Sequence, residues 1–212
     1  ISAANILVVL AYRLGDPSSD WVGLVTLAGA SLTNGLASSS LTLILQYILA
    51  QAMGITTALQ LLEISRPDHP LLQYILRNAA GTYQHSLQVA NLAEQAAEMV
   101  NADSLLVRVG ALYHDAGKAL NPQFFIENQV RGSENPHNNL EPAISAAIII
   151  QHVTDGRELA RKFHLPPRII DFVLEHHGSR ITHYQYNRAV ELAGGHINKV
   201  DMELYRYPGP AP

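Results

Sequence analysis

Hydrophobic and polar positions divide this chain into two unequal parts. From Trp21 to Leu62 there is no formally charged residue, and Val22 to Met53 is predominantly apolar. A membrane-spanning helix needs about 20 consecutive apolar residues, so this stretch predicts either one long tilted helix or two shorter ones. Asn34-Gly35 and the run Ser38-Ser39-Ser40 favour two segments that turn near that point. Ile1 to Tyr12 is a further apolar run, and the polar loop from Arg13 to Asp20 follows it, which predicts the end of another span. A secretory signal peptide fits this pattern poorly. The competing reading is a set of buried core helices, because Ser, Thr, Gly and Gln interrupt the apolar run. The loop charges are too few to set a topology by the positive-inside rule.

From about Ile64 the pattern becomes that of amphipathic helices. Ser65-Arg-Pro-Asp-His-Pro70 holds two prolines within four residues, which breaks any continuing helix. Helices are then expected over 71–79, 83–100, 104–119, 142–153, 155–163 and 167–177. Ser104 is a candidate cap for the third and Asp155 a candidate start for the fifth, while Gly178 suits a left-handed stop after the last. No run alternates in the manner of a strand, and no internal repeat is present. The expected fold class is all-α. Residues 1–54 read as the end of a transmembrane helical region, 55–70 as a juxtamembrane linker and 71–212 as a cytoplasmic helical domain.

Histidines fall on the apolar faces of these helices. His85 shares a face with Val89 and Leu92, and His114 follows Val107, Gly110 and Ala111 at helical spacing. His152 follows Ile148 and Ile149, and His176 follows Ile169, Phe172 and Val173. One such residue is ordinarily a core histidine with a satisfied hydrogen bond. Several converging neutral imidazoles would leave buried polar groups unpaired unless they share a partner.

Composition narrows what that partner is. The 212 residues carry a net charge of −4, so no basic stripe exists for a nucleic-acid polymer. There is no cysteine, which excludes disulfides, thiolate nucleophiles and Cys-based metal sites. Any metal must take nitrogen and oxygen ligands, and Asp115, with two oxygens, is the residue able to bridge two ions. Such a donor set suits iron, manganese or another divalent ion. On a continuing helix His114 and Asp115 diverge by about 100°, so ligands from other helices must close the site. Two metals about 3.5–4 Å apart stabilise the oxygens of an in-line phosphoryl displacement.

His85, then His114-Asp115-Ala-Gly-Lys118, then His152 and the pair His176-His177, resemble the metal-binding signature of the HD phosphohydrolase superfamily. The segments Gly54-Ile-Thr-Thr, Pro67-Asp-His-Pro, Gly81-Thr-Tyr-Gln-His-Ser86, Phe125-Ile-Glu-Asn-Gln129, Glu134-Asn-Pro-His137 and Tyr207-Pro-Gly-Pro210 narrow this further. Together they resemble membrane-associated seven-transmembrane receptors with an intracellular HD domain.

This resemblance implies a helical HD-domain bundle preceded by transmembrane helices, in a multi-pass cell-membrane protein whose HD domain is cytoplasmic. It implies hydrolysis of a cyclic dinucleotide, cyclic di-AMP, to the linear dinucleotide on a di-iron or di-manganese centre. His85, His114 and Asp115 would hold one metal, with Asp115 bridging to a second held by His152 and His176. His177 would be a further ligand or a group on the substrate phosphate. Lys118 would contact a phosphate oxygen or protonate the leaving oxygen; its blander reading is a solvated helix end. His137 and, less strongly, Arg131 are candidate substrate contacts. The family pattern also has an aspartate after the Tyr-Pro-Gly-Pro segment, expected beyond Pro212. Ala116 stands where isoleucine is common, and Gln84 where a second histidine is common. Partners implied are the substrate and a lipid bilayer, with a homo-oligomer left open.

Two other readings remain at this level. One is an HD hydrolase of another nucleotide, such as a guanosine alarmone or a nucleoside monophosphate; the other is a catalytically silent nucleotide-binding module. His69, His164, His183 and His196 read as structural or exposed, and Tyr83 and Tyr113 as packed beside the ligands, with stacking on adenine as the alternative.

Overall fold

The computed structural model describes residues 3–4, 6–7, 10–11, 21–130 and 132–210. Contacts divide the chain into two compact units, Ile1–Ile55 and Thr56–Pro212. The loop expected over Arg13 to Asp20 lies outside the described residues.

The first unit contains α1 (Trp21–Ala52), a single helix of 32 residues. The turn expected at Asn34-Gly35 is absent because nothing there forces one. No proline interrupts the run, and the hydroxyls bond back onto their own helix: Thr26 to Val22 O, Ser39 to Gly35 O and Thr42 to Ser38 O, each at 2.8 Å. Trp21, Val25, Leu36, Leu41 and Leu43 remain exposed along it. Among the described residues no helix is long and apolar enough to cross a membrane. α1 has the length, but its Ser, Thr, Asn and Gln residues dilute its hydropathy, so the expected transmembrane helices are not found there.

The second unit begins within the segment expected to be a linker. Thr57 and Gln60 form a capping box that starts α2 (Ala58–Ile64), and Leu61 and Ile64 bury themselves in the core. α3 (Pro70–Asn78) starts at a proline in its first turn, capped by His69, whose ring nitrogen accepts from Leu71 N. α4 (Ala80–Met99) and α5 (Ser104–Tyr113) pack along each other, joined by residues 100–103. α6 (Pro142–Lys162), α7 (Pro167–Glu175) and α8 (His183–Leu192) complete the unit. Leu71, Leu72, Ile75, Val109, Tyr113, Ile169 and Val173 form its main core. Among the described residues there is no strand, only an isolated antiparallel bridge between Ile181 and Arg206.

Four local differences from the sequence reading have physical causes. The cap of α5 is Asp103, whose carboxylate accepts from Leu106 N at 2.9 Å, not Ser104. The expected helices 142–153 and 155–163 are one helix, α6; Asp155 accepts a surface hydrogen bond from Gln151 instead of capping a start. The expected helix 104–119 stops at Tyr113 and resumes as a tighter 3-10 turn over Ala116–Leu120. α8 has too mixed a pattern to read from periodicity. Gly178 does take the left-handed conformation, with φ +55°, just after α7.

Two glycines let the functional helices approach closely. A Cβ on Gly110 would lie 2.3 Å from the Phe172 ring, so its absence lets α5 rest on α7. A Cβ on Gly117 would lie 1.9 Å from His152 O, so the 3-10 turn crosses α6 backbone to backbone. Replacing Gly117 with Ala is expected to destabilise the second unit by about 3 kcal/mol, the scale of an overpacked site whose neighbour is main chain. Chemical denaturation measures this, and an unchanged midpoint would show that the turn shifts freely.

Candidate metal centre

α5 ends at Tyr113, His114 closes it, and Asp115 begins the tighter turn. That change of winding brings two adjacent side chains to one place: His114 Nε2 lies 3.0 Å from Asp115 Oδ2. The divergence expected for a continuing helix is therefore removed. Gly117 sets the turn against α6 at His152, and Gly110 sets α5 against α7, which His176 caps. α4 supplies His85 from its second turn.

Asp115 is the hub, with its side chain only 3% exposed. Its Oδ2 faces His114 Nε2, Lys118 Nζ at 2.9 Å and His85 Nε2 at 3.9 Å. Its Oδ1 faces His152 Nε2 at 3.4 Å and His176 Nε2 at 3.5 Å. His177 joins this second group, and within each group the candidate ligand atoms all lie within 4.8 Å of one another. The six candidate ligands named from sequence, His85, His114, Asp115, His152, His176 and His177, thus fall into two groups that share one carboxylate.

Ring orientation follows from hydrogen bonds to carbonyls three residues earlier. His114 Nδ1 lies 2.7 Å from Ala111 O, His152 Nδ1 2.5 Å from Ile149 O, and His176 Nδ1 2.9 Å from Val173 O. A carbonyl only accepts, so each Nδ1 carries a proton, and in its neutral form each ring turns a lone pair inward at Nε2. The Nε2 atoms of His152 and His176 are 3.3 Å apart. Two lone pairs at that distance repel unless a cation lies between them. Asp115 Oδ1 is also buried without a hydrogen-bond partner among the described residues. Inward lone pairs, an orphaned carboxylate oxygen and an all-nitrogen-and-oxygen donor set together fit divalent metal ions.

Charge at the site follows the same geometry. Burial pushes the Asp115 pKa up, but the facing His114, His152 and His176 more than offset this and hold it well below the ordinary carboxylate value. Burial likewise lowers that of His114, yet Asp115 raises it further. His177 is pushed down to about 3 by burial and by its neighbours His176 and His152. Lys118, despite burial, is held above the ordinary lysine value by Asp115 and Glu127.

The remaining candidates are placed differently. His137 lies outside both groups: its Nε2 donates to Phe124 O at 2.9 Å and its Nδ1 accepts from Ser145 Oγ at 2.8 Å. Both ring nitrogens are committed to tying the loop to α6, and neither is free for substrate in this arrangement. Arg131 lies outside the described residues. Tyr113 is fully buried and donates to Ile64 O at 2.6 Å, which makes it a packing residue, as is the partly buried Tyr83. Sequence reasoning missed two residues at the site. Glu127 takes a salt bridge from Lys118 Nζ at 2.9 Å, and the Tyr207 ring stacks on His177 at 4.0 Å and 19°. Both sit in segments already singled out, Phe125–Gln129 and Tyr207–Pro210, and those segments were the available signal.

Residues 82–205 match the model of the HD domain family. Over its whole length the chain is 41% identical to a Bacillus subtilis protein named cyclic-di-AMP phosphodiesterase PgpH, of which it covers 29%. A Listeria monocytogenes protein of the same name is 48% identical over 159 residues, 75% of this chain and 21% of that protein. The chain therefore spans less than a third of the length of these curated relatives. A crystal structure of the L. monocytogenes PgpH HD domain in complex with cyclic-di-AMP aligns with a TM-score of 0.64 and 49% identity, covering 69% of this chain and 66% of that chain.

Asp115→Ala removes the atoms shared by both groups and is expected to abolish divalent metal binding. Elemental analysis of the purified variant measures this directly, and retention of two ions per chain would rule out the bridging role.

Proposed function

The chain belongs to the HD domain family, and from that premise we propose that it is a metal-dependent phosphodiesterase converting cyclic di-AMP to linear pApA. The observation that carries this reading is the Asp115 carboxylate, each oxygen of which faces its own set of imidazole nitrogens. The relatives named as cyclic-di-AMP phosphodiesterases support the substrate assignment, as does the similar HD domain solved with that nucleotide. Intact ligand groups favour catalysis over a silent binding module, which has no chemical need for both.

In this reading His85, His114 and Asp115 would hold one ion, and Asp115, His152, His176 and His177 would hold the other. Either iron or manganese suits these donors. The bound pair supplies Lewis acidity that stabilises the charge on the phosphoryl oxygens during an in-line displacement. One water oxygen bonds to phosphorus, the P–O3′ bond breaks, and a water proton ends on the departing 3′ oxygen. Asp115 and the Nδ1-tethered histidines keep the site preorganised, so little reorientation accompanies the reaction. His177, neutral across the physiological range because its pKa is pushed down to about 3, suits a metal ligand better than a cationic contact to phosphate. Lys118 is the remaining cation at the site, and we assign it to the phosphate side of the reaction.

Location is a separate part of the proposal. The exposed apolar side chains of α1 fit contact with lipid or neighbouring apolar helices better than contact with water. We therefore place the first unit at the cell membrane and the second on its cytoplasmic side, where nucleotide substrates are available.

The test incubates the whole protein, loaded with Mn²⁺ or Fe²⁺, with cyclic di-AMP and resolves the products by chromatography. Linear pApA that disappears on chelation and in Asp115→Ala is the expected outcome. A metal-filled protein that leaves cyclic di-AMP intact would move the assignment to another nucleotide.

A further inference from the structure

Glu127 is not among the candidate metal ligands, yet it belongs to the charge system of the centre. Lys118 Nζ lies 2.9 Å from Asp115 Oδ2 and 2.9 Å from Glu127 Oε1, with the lysine side chain 15% exposed and the glutamate 23%. The ammonium also lies 5.1 Å from the centre of the Phe125 ring, which gives it an apolar wall. Without Glu127, Lys118 would stand as a full positive charge against Asp115, the one carboxylate among the described candidate ligands. A cluster of one carboxylate and one ammonium is neutral and holds a dication poorly. Adding a second carboxylate restores a net charge of −1 and gives the ammonium another anion to lean on.

The position of Glu127 is fixed from α4. Thr82, fully buried in the first turn of that helix, donates its hydroxyl to Glu127 Oε1 at 3.2 Å. The same hydroxyl accepts from Asn128 Nδ2 at 2.8 Å, and Thr82 N donates to Asn128 Oδ1 at 3.1 Å. Thr82 lies three residues before His85, on neighbouring helical positions. The segment that carries Glu127 is therefore registered to the same helix that carries a candidate ligand.

We propose that Glu127 is a positioning residue of the metal centre: it holds and neutralises the Lys118 ammonium, so that the Asp115 carboxylate keeps its charge for the metal ions. This inference rests on the metal-centre part of the proposed function and is independent of which nucleotide is hydrolysed. It predicts a pattern of affinities that a scaffolding role for Glu127 would not produce.

The experiment titrates Mn²⁺ against the whole protein in competition with a chelator, for wild type, Glu127→Gln, Lys118→Met and the double variant. Gln keeps an oxygen for the Thr82 hydroxyl, so the change removes charge with little loss of contact. Glu127→Gln is expected to weaken Mn²⁺ binding by about tenfold to a hundredfold, the range typical of groups that support metal ligands. Lys118→Met is expected to bind Mn²⁺ at least as tightly as wild type. The double variant, with both charges removed and the net charge of −1 restored, is expected to return to near wild-type affinity. A double variant as weak as Glu127→Gln, or a single Glu127→Gln variant with unchanged affinity, would overturn the proposal, as would a wild-type protein that takes up no Mn²⁺. Parallel turnover of cyclic di-AMP by the wild type separates the two readings: tight Mn²⁺ binding without hydrolysis removes the substrate assignment and leaves the affinity pattern to decide Glu127.

Discussion

A carboxylate placed almost wholly out of water cannot remain ionised unless positive or proton-donating groups surround it, and Asp115 imposes that requirement on the whole second unit. Leaving a charge of this kind buried and unpaired costs several kcal/mol. A carboxylate has acceptor capacity on both oxygens, so one partner does not suffice. Four imidazoles, two from within helices and two from helix ends, together with one ammonium, converge on it. Three of those imidazoles spend their Nδ1 protons on main-chain carbonyls, which in the neutral rings leaves Nε2 lone pairs facing the carboxylate. Lone pairs facing an anion are favourable only around a cation. The hydrogen bonds that fix the rings therefore also define the chemistry the site accepts.

Close backbone approach delivers these groups. The apolar surface of α3, α5 and α7 gathers the helices through Leu71, Ile75, Val109 and Ile169, but hydrophobic burial alone is indifferent to shifts of an ångström. Missing side chains set the finer spacing. At Gly117 the turn after Asp115 meets α6 at His152, and at Gly110 α5 meets the Phe172 side of α7. The Gly117 contact ties the turn after Asp115 to His152 through main chain, which is stiffer than the side-chain contact that Phe172 makes at Gly110. The aliphatic core makes the bundle, and the glycines set its site geometry.

Helical periodicity made the inward direction of His114, His152 and His176 legible without any tertiary information, whereas the side chain of His85, placed on an apolar face with Leu92, is 46% exposed and Leu92 is exposed beside it. The division into two ligand sets, and His177 as a member, came instead from the resemblance to the HD superfamily. Features set by contacts between distant segments were not legible. The shift from α-helix to a 3-10 turn after Tyr113 depends on Gly117 meeting α6, which periodicity does not encode. Asp155 has the residue type of a helix start, but α6 runs through it because the surrounding positions keep burying Val153 and Leu159. His137 reads as a loop residue facing substrate until Ser145 and Phe124 are seen to take both its nitrogens. Glu127 looks like an ordinary exposed acid until Lys118 and Thr82 are placed beside it. In α1, Asn-Gly reads as a turn, but local turn preference yields when the flanking residues continue the helix and the hydroxyls find acceptors within it.

His177 is held by a different device from the other rings, and the difference explains the course of the C-terminal segment. Among the described residues no hydrogen bond fixes its imidazole. It lies instead between aromatic neighbours, with the His176 ring 4.1 Å away and the Tyr207 ring stacked at 4.0 Å. Stacking restrains the plane of a ring and leaves both of its nitrogens available, whereas a carbonyl bond commits one of them. For Tyr207 to reach that place the chain must double back after α8. It does so through Thr182 N donating to Tyr205 O at 2.8 Å and Tyr207 N donating to Arg180 O at 2.9 Å. Tyr205 in turn packs with Ala146 and Tyr186 in a small second core. The terminal segment thus uses its own buried cluster as a base from which one aromatic ring covers the last of the candidate ligands, so burial at the far end of α6 is coupled to ring orientation at the metal centre.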